Sequence, residues 1–118
     1  MRERLAELEV EERGGVLIAR LSGEVDSSNA SELQLAITDQ LPNATMAMVL
    51  DLTSVGYIDS SGVQLLFDLG RRLAARRQVL RLVVPGDAPT RRVLELCDVG
   101  DVAPLDPELE ASLRAVSL

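Results

Sequence analysis

The chain has 118 residues, 47% of them hydrophobic and 26% charged, the length and balance of one soluble globular domain able to bury its own core. It holds no histidine, no lysine and one cysteine, Cys97, which excludes histidine-based catalysis, histidine metal ligands, a Schiff-base or phosphate-loop lysine, an intrachain disulfide and a cysteine zinc cluster. The net charge of −7, from 19 acidic and 12 basic residues, disfavours nucleic acid and anionic membrane and favours basic surfaces on other proteins.

The aromatic residues are Tyr57 and Phe67, too few for a platform that stacks single-stranded bases. The first twelve residues alternate charge and do not read as a signal peptide, and no apolar run approaches the ~18 residues of a membrane span. One cytoplasmic domain over residues 1–118 is expected.

Along the chain, Leu8 and Val10 alternate with Glu7, Glu9 and Glu11, the pattern of a half-exposed strand. Gly14-Gly15 is a hairpin turn, and Val16 to Leu21 reads as the second strand. Ser22 to Asn29 is rich in turn formers and reads as a loop ending at a helix cap, either Asn29, with Glu32 completing a capping box, or Ser28. Ala30, Leu33, Ile37 and Leu41 follow at helical spacing, and Pro42-Asn43 stops the helix. Met46 to Leu52 is an almost unbroken apolar run, as in a strand buried on both faces.

Thr53 to Asp59 reads as a loop leading into the clearest helix, in which Val63, Leu66, Phe67, Leu73 and Ala74 form one stripe. Its end carries Arg71, Arg72, Arg76 and Arg77, suited to the negative end of the helix dipole. Val79 to Val84 reads as a strand ended by Pro85-Gly86. Val93, Leu94 and Cys97 mark a short third helix with Cys97 as a core thiol. Val102 to Leu105 reads as a last strand, and Pro107 to Val116 as a helix with proline at its first position. The order β-β-α-β-α-β-α-β-α implies an α/β fold with a mixed, mostly parallel sheet, an antiparallel N-terminal hairpin and about four covering helices.

The segment richest in chemistry is Asp51 to Gly62. Asp59 is a strong cap, because its carboxylate accepts the unpaired N–H groups of a first helical turn. Ser60 then stands at the first helical position, beside the positive end of the dipole, where an added phosphate of about −1.5 to −2 charge is tolerated. Gly62 lowers helix propensity by about 1 kcal/mol relative to alanine, so something approaches the backbone there. Tyr57 and Ile58 are candidates for an apolar contact beside Ser60, with Ile58 alternatively stapling the helix start. Asp26-Ser27-Ser28 repeats the tripeptide but is followed by Asn29, not glycine. Asp51 has no second ligand at metal spacing, so no metal is assigned.

The combination resembles the STAS domain of the anti-sigma factor antagonist family. The resemblance rests on Leu21-Ser22-Gly23-Glu24-Val25-Asp26, on Asp51-Leu52-Thr53 and on Tyr57-Ile58-Asp59-Ser60-Ser61-Gly62, together with the arginine-rich helix end and the strand after it. It covers nearly the whole chain and implies the STAS fold. It implies that Ser60 is phosphorylated by a partner that is both anti-sigma factor and ATP-dependent serine kinase. The unphosphorylated form would bind that partner and free the sigma factor, and a metal-dependent serine phosphatase would reverse the modification. Asp59, Ser61, Gly62 and the upstream Asp26 would contact or orient the partner.

By the same resemblance the chain is not an enzyme and carries no cofactor; ATP and magnesium would belong to the kinase. A monomer or weak dimer is expected. Rival expectations are a STAS subunit of a lipid-transport ATPase and a stress-signalling STAS scaffold. A Ser60 nucleophile would lack both a nucleophile elbow and a histidine to activate it.

Overall fold

The computed structural model describes residues 6–42 and 45–116; Asn43, assigned above to a helix stop, lies outside them. Strands β1 (Ala6–Arg13) and β2 (Val16–Val25) form an antiparallel hairpin. Gly14 and Gly15 both adopt positive φ, 58° and 82°, so the chain reverses in two residues with the twist the strands require. Helix α1 (Ala30–Asp39), strand β3 (Ala47–Ile58), helix α2 (Ser60–Ala75), strand β4 (Val79–Val83) and helix α3 (Arg91–Leu96) follow. A 3-10 turn (Val99–Asp101), strand β5 (Leu105–Asp106) and helix α4 (Leu109–Val116) complete the order. The five strands lie side by side in sequence order, β1 antiparallel to β2 and the others parallel, which is the expected mixed α/β architecture.

The apolar run of β3 is explained by burial on both sides. Met48, Leu50 and Leu52 join the main core with Leu33 and Ile37 of α1, Leu66, Leu69 and Leu73 of α2, and Leu94 of α3. Ala47 and Val49 face the other way, into a smaller core with Val16, Ile18 and Val83, against which Leu109, Leu113 and Val116 of α4 pack. Three helices thus cover one face and α4 the other.

Several boundaries differ from the sequence pattern. That pattern ends β2 at Leu21 and β3 at Leu52, yet both strands run on together, pairing Ser22 with Ser54 and Val25 with Ile58. Register shifts between Arg20 and Ser22 and between Gly23 and Glu24 absorb the polar residues, while Val25, Val55 and Ile58 still turn into the core. Cys97 is exposed, not a core thiol. Helix α3 stops at Leu96, Asp98 takes a left-handed conformation, and Val99 fills the core in its place. The last strand is Leu105–Asp106 alone. Pro107 precedes α4 rather than starting it, because the Glu108 carbonyl accepts the first helical bond, from the Ser112 N–H at 3.3 Å.

Helix α4 is tied down by one polar cluster. The Arg81 guanidinium makes two bonds to Asp106, 2.7 and 3.0 Å, and the Ser112 hydroxyl donates to the same carboxylate at 2.5 Å. The hydrogen bonds from Arg81 hold the Asp106 carboxyl below its ordinary value, against the opposing effect of burial. Such a contribution to stability is complete above the unfolded carboxylate pKa of about 3.9 and disappears as the pH falls through the lowered folded value. Arg81→Met is therefore expected to destabilise the fold by up to about 3 kcal/mol at neutral pH. Urea titrations should show that deficit shrinking as the pH falls below about 4 and Asp106 takes up its proton.

Candidate functional site

The site forms where β2 and β3 end together. Glu24 lies opposite Tyr57 and Val25 opposite Ile58, and the Asp59 N–H donates to the Val25 carbonyl at 3.2 Å. One residue beyond that last pairing, each strand delivers an aspartate: Asp26 at the start of the β2–α1 loop and Asp59 at the head of α2. Two Asp-Ser-Ser sequences distant along the chain are thereby brought to the same edge, outside the carboxyl ends of parallel strands, where α/β sheets place their functional loops.

The two tripeptides are built differently. Asp59 is extended and caps α2, its carboxylate accepting the N–H of Ser61 at 2.8 Å and of Gly62 at 3.2 Å. Ser60 is the first helical residue and exposed, and its hydroxyl has no partner among the described residues. Asp26 accepts the Ser28 N–H at 2.9 Å and also the Ser28 hydroxyl at 2.5 Å. These bonds, the hydroxyl's first, hold the Asp26 carboxyl below its ordinary value.

The N-terminus of α1 shows no capping box. Asn29 instead turns back, its amide donating to the Glu24 carbonyl at 2.8 Å while its oxygen accepts the Asp26 N–H at 3.0 Å. Asn29 therefore braces the loop rather than capping the helix. The sequence signalled only the residue type: the bond to Glu24 exists because β2 extends to Val25, which the loop-like composition concealed.

Gly62 and Ile58 explain one another. A Cβ on Gly62 would collide with Ile58 Cγ1 and come within 2.9 Å of its Cδ1 and 3.0 Å of Val25 Cγ1. The close approach inferred from the glycine is thus the domain's own core, not a partner. Ile58 is 6% exposed and Gly62 is buried, so neither offers side-chain surface for docking. Ile58 and Val63 occupy the two positions of a hydrophobic staple and both lie in the main core. Tyr57, 51% exposed, is the aromatic surface beside Ser60, and Ser61 is half-buried. No group of three or more acidic or cysteine side chains is placed to hold a metal among the described residues. No helix among them is long and apolar enough to cross a membrane.

The family model described as the STAS domain matches residues 7–112. A candidate anti-sigma factor antagonist of Bordetella bronchiseptica, BtrV, is 33% identical over 103 residues, covering 86% of each chain. The anti-sigma F factor antagonist of Paenibacillus polymyxa is 29% identical over 108 residues, covering 89% of this chain and 91% of that protein. The crystal structure of an anti-sigma factor antagonist from Mycobacterium paratuberculosis superimposes with a TM-score of 0.84 at 32% identity, over 94% of this chain and 93% of that one.

Gly62→Ala is expected to destabilise the fold by about 1–3 kcal/mol through overpacking, although alanine is the better helix former by about 1 kcal/mol. Ile58→Ala alone should cost about 2–5 kcal/mol. The double variant should cost less than the two together, because removing the isoleucine makes room for the new Cβ. Denaturant unfolding of the four proteins measures this coupling.

Proposed function

Since the chain belongs to the STAS domain family, we propose that it is an anti-sigma factor antagonist switched by phosphorylation of Ser60. In this reading the unmodified form binds an anti-sigma factor with serine kinase activity and so frees the sigma factor. Transfer of a phosphoryl group from the kinase's ATP to Ser60 ends the binding, and a serine phosphatase restores it. The relatives from Bordetella bronchiseptica and Paenibacillus polymyxa carry names of this class.

The observation that carries the reading is the Ser60 hydroxyl, exposed, without a partner among the described residues and fixed at the entrance of a 16-residue helix by the Asp59 cap. A phosphate there meets the positive end of the α2 dipole and leaves the scaffold standing. It also adds bulk and negative charge beside Asp59, which changes what the rim can dock against. Ser28 is the poorer acceptor, because its hydroxyl is already bonded to Asp26. In this reading the domain acts by binding, as the names of its relatives suggest. Its place of action is the cytoplasm, where sigma factors work.

The test mixes the chain with candidate anti-sigma factor kinases, with and without ATP. Ser60→Ala should bind and resist phosphorylation, and Ser60→Asp should bind at least about tenfold more weakly, a difference of ~1.4 kcal/mol. Phosphate mapped by mass spectrometry to Ser27 or Ser28 in place of Ser60 would overturn the site.

A further inference from the structure

Both outer strands of the sheet are guarded, and a stretch of β3 inside the sheet is left unpaired on one side. Exposed strand edges invite pairing with other chains, and proteins ordinarily guard them with charges or by keeping them short. The outer edge belongs to β1, which has four glutamates among its eight residues. The opposite edge belongs to β5, two residues long. The unpaired stretch is internal. Strand β4 pairs with β3 only from Ala47 to Asp51, whereas β2 accompanies β3 to Ile58.

Residues 53–58 therefore overhang on the β4 side, Leu52 being the last β3 residue that the ladder to Val83 reaches. Apart from the ladder to β2, their backbone has one hydrogen bond to the rest of the described chain, from the Thr53 N–H to the Asp51 carboxylate at 2.9 Å. The overhang reads Thr-Ser-Val-Gly-Tyr-Ile, with no charge and no proline, and Thr53, Ser54, Gly56 and Tyr57 are exposed.

We propose that this overhang is a strand-addition site, which an extended, basic segment of a protein partner joins as a further strand beside β3. Main-chain hydrogen bonds supply affinity in such a mode and flanking side chains supply selection. Here the flanks are acidic, with Asp51 at one end and Asp59 at the other. Between Arg20 and Arg71 the chain has no basic residue and seven acidic ones, so the whole net charge of −7 falls in the stretch containing the overhang. A second copy of this chain is the wrong occupant, since pairing two overhangs in either direction sets aspartate against aspartate at both ends. The edge runs directly to Asp59 and Ser60, so the proposal rests on the partner reading above and adds how that partner grips the segment.

The probe is the peptide Ac-Arg-Thr-Val-Thr-Val-Thr-Arg-NH2, compared with its counterpart carrying glutamate for arginine. Amide chemical shifts and hydrogen exchange of the labelled full chain are recorded during titration. The arginine peptide should shift residues 53–57 and slow exchange at alternate amides among them, and the glutamate peptide should do so several-fold more weakly. Ser54→Lys, at an exposed position, should keep the fold and weaken the arginine peptide several-fold. No response to the arginine peptide, or shifts confined to β1 or to helix surfaces, overturns the proposal. An anti-sigma factor that binds yet leaves these amides exchanging freely also overturns it and leaves the partner reading intact. A peptide response with no anti-sigma factor bound keeps the edge and removes that partner.

Discussion

The structure depends on how β2 and β3 end. They outrun the rest of the sheet together, and the Asp59 N–H to Val25 carbonyl bond closes the pair. The chain then enters α2 with Ile58 and Val25 wedged against a position where only hydrogen fits. Because Gly62 has no Cβ, the first turn of α2 sits directly on those side chains, and the direction of the helix is set by van der Waals contact. The Asp59 carboxylate, satisfying two N–H groups of that turn, is then held in one orientation. The exposure of Ser60 follows from these constraints and is not a property of the serine.

In the proposed reading, this arrangement separates stability from signalling. Everything that holds the junction is buried or bonded: Val25, Ile58, Gly62 and the Asp59 carboxylate. The Ser60 hydroxyl and the Tyr57 ring, by contrast, are exposed. A change at Ser60 therefore alters the surface without moving the core beneath it, as a two-state docking device on a rigid scaffold requires. The Arg81–Asp106–Ser112 cluster plays the corresponding part on the other face, where one short helix covers a small core.

Much of this was legible along the chain, and the reasons are local. Alternating glutamates in β1, the apolar run of β3 and the helical stripe of α2 are periodic signals created by burial itself. The Asp59 cap is legible because donor and acceptor lie within three residues. The motifs around Asp26 and Ser60 together sufficed for the family resemblance. Less legible were segments whose conformation is imposed from outside. Ser22 to Val25 and Thr53 to Ile58 have the composition of loops and become strands because each supplies the other's ladder. Cys97 has helical spacing from Val93 but lies on the surface, because the chain turns at Asp98 and Val99 takes the core position.

The sequence by itself determined the element types, the parallel sheet behind a hairpin, and a serine at a capped helix start, since all of these arise from interactions spanning a few residues or from periodic burial. Only the tertiary structure decided that Asp26 and Asp59 stand side by side, that Gly62 makes room for the protein's own isoleucine, that Asn29 is a brace, and that β3 keeps an open edge. Apart from the local Gly62–Ile58 contact, those outcomes depend on which strands pair and where the pairing stops, and that is set by contacts between residues about thirty positions apart, which no short window of sequence contains.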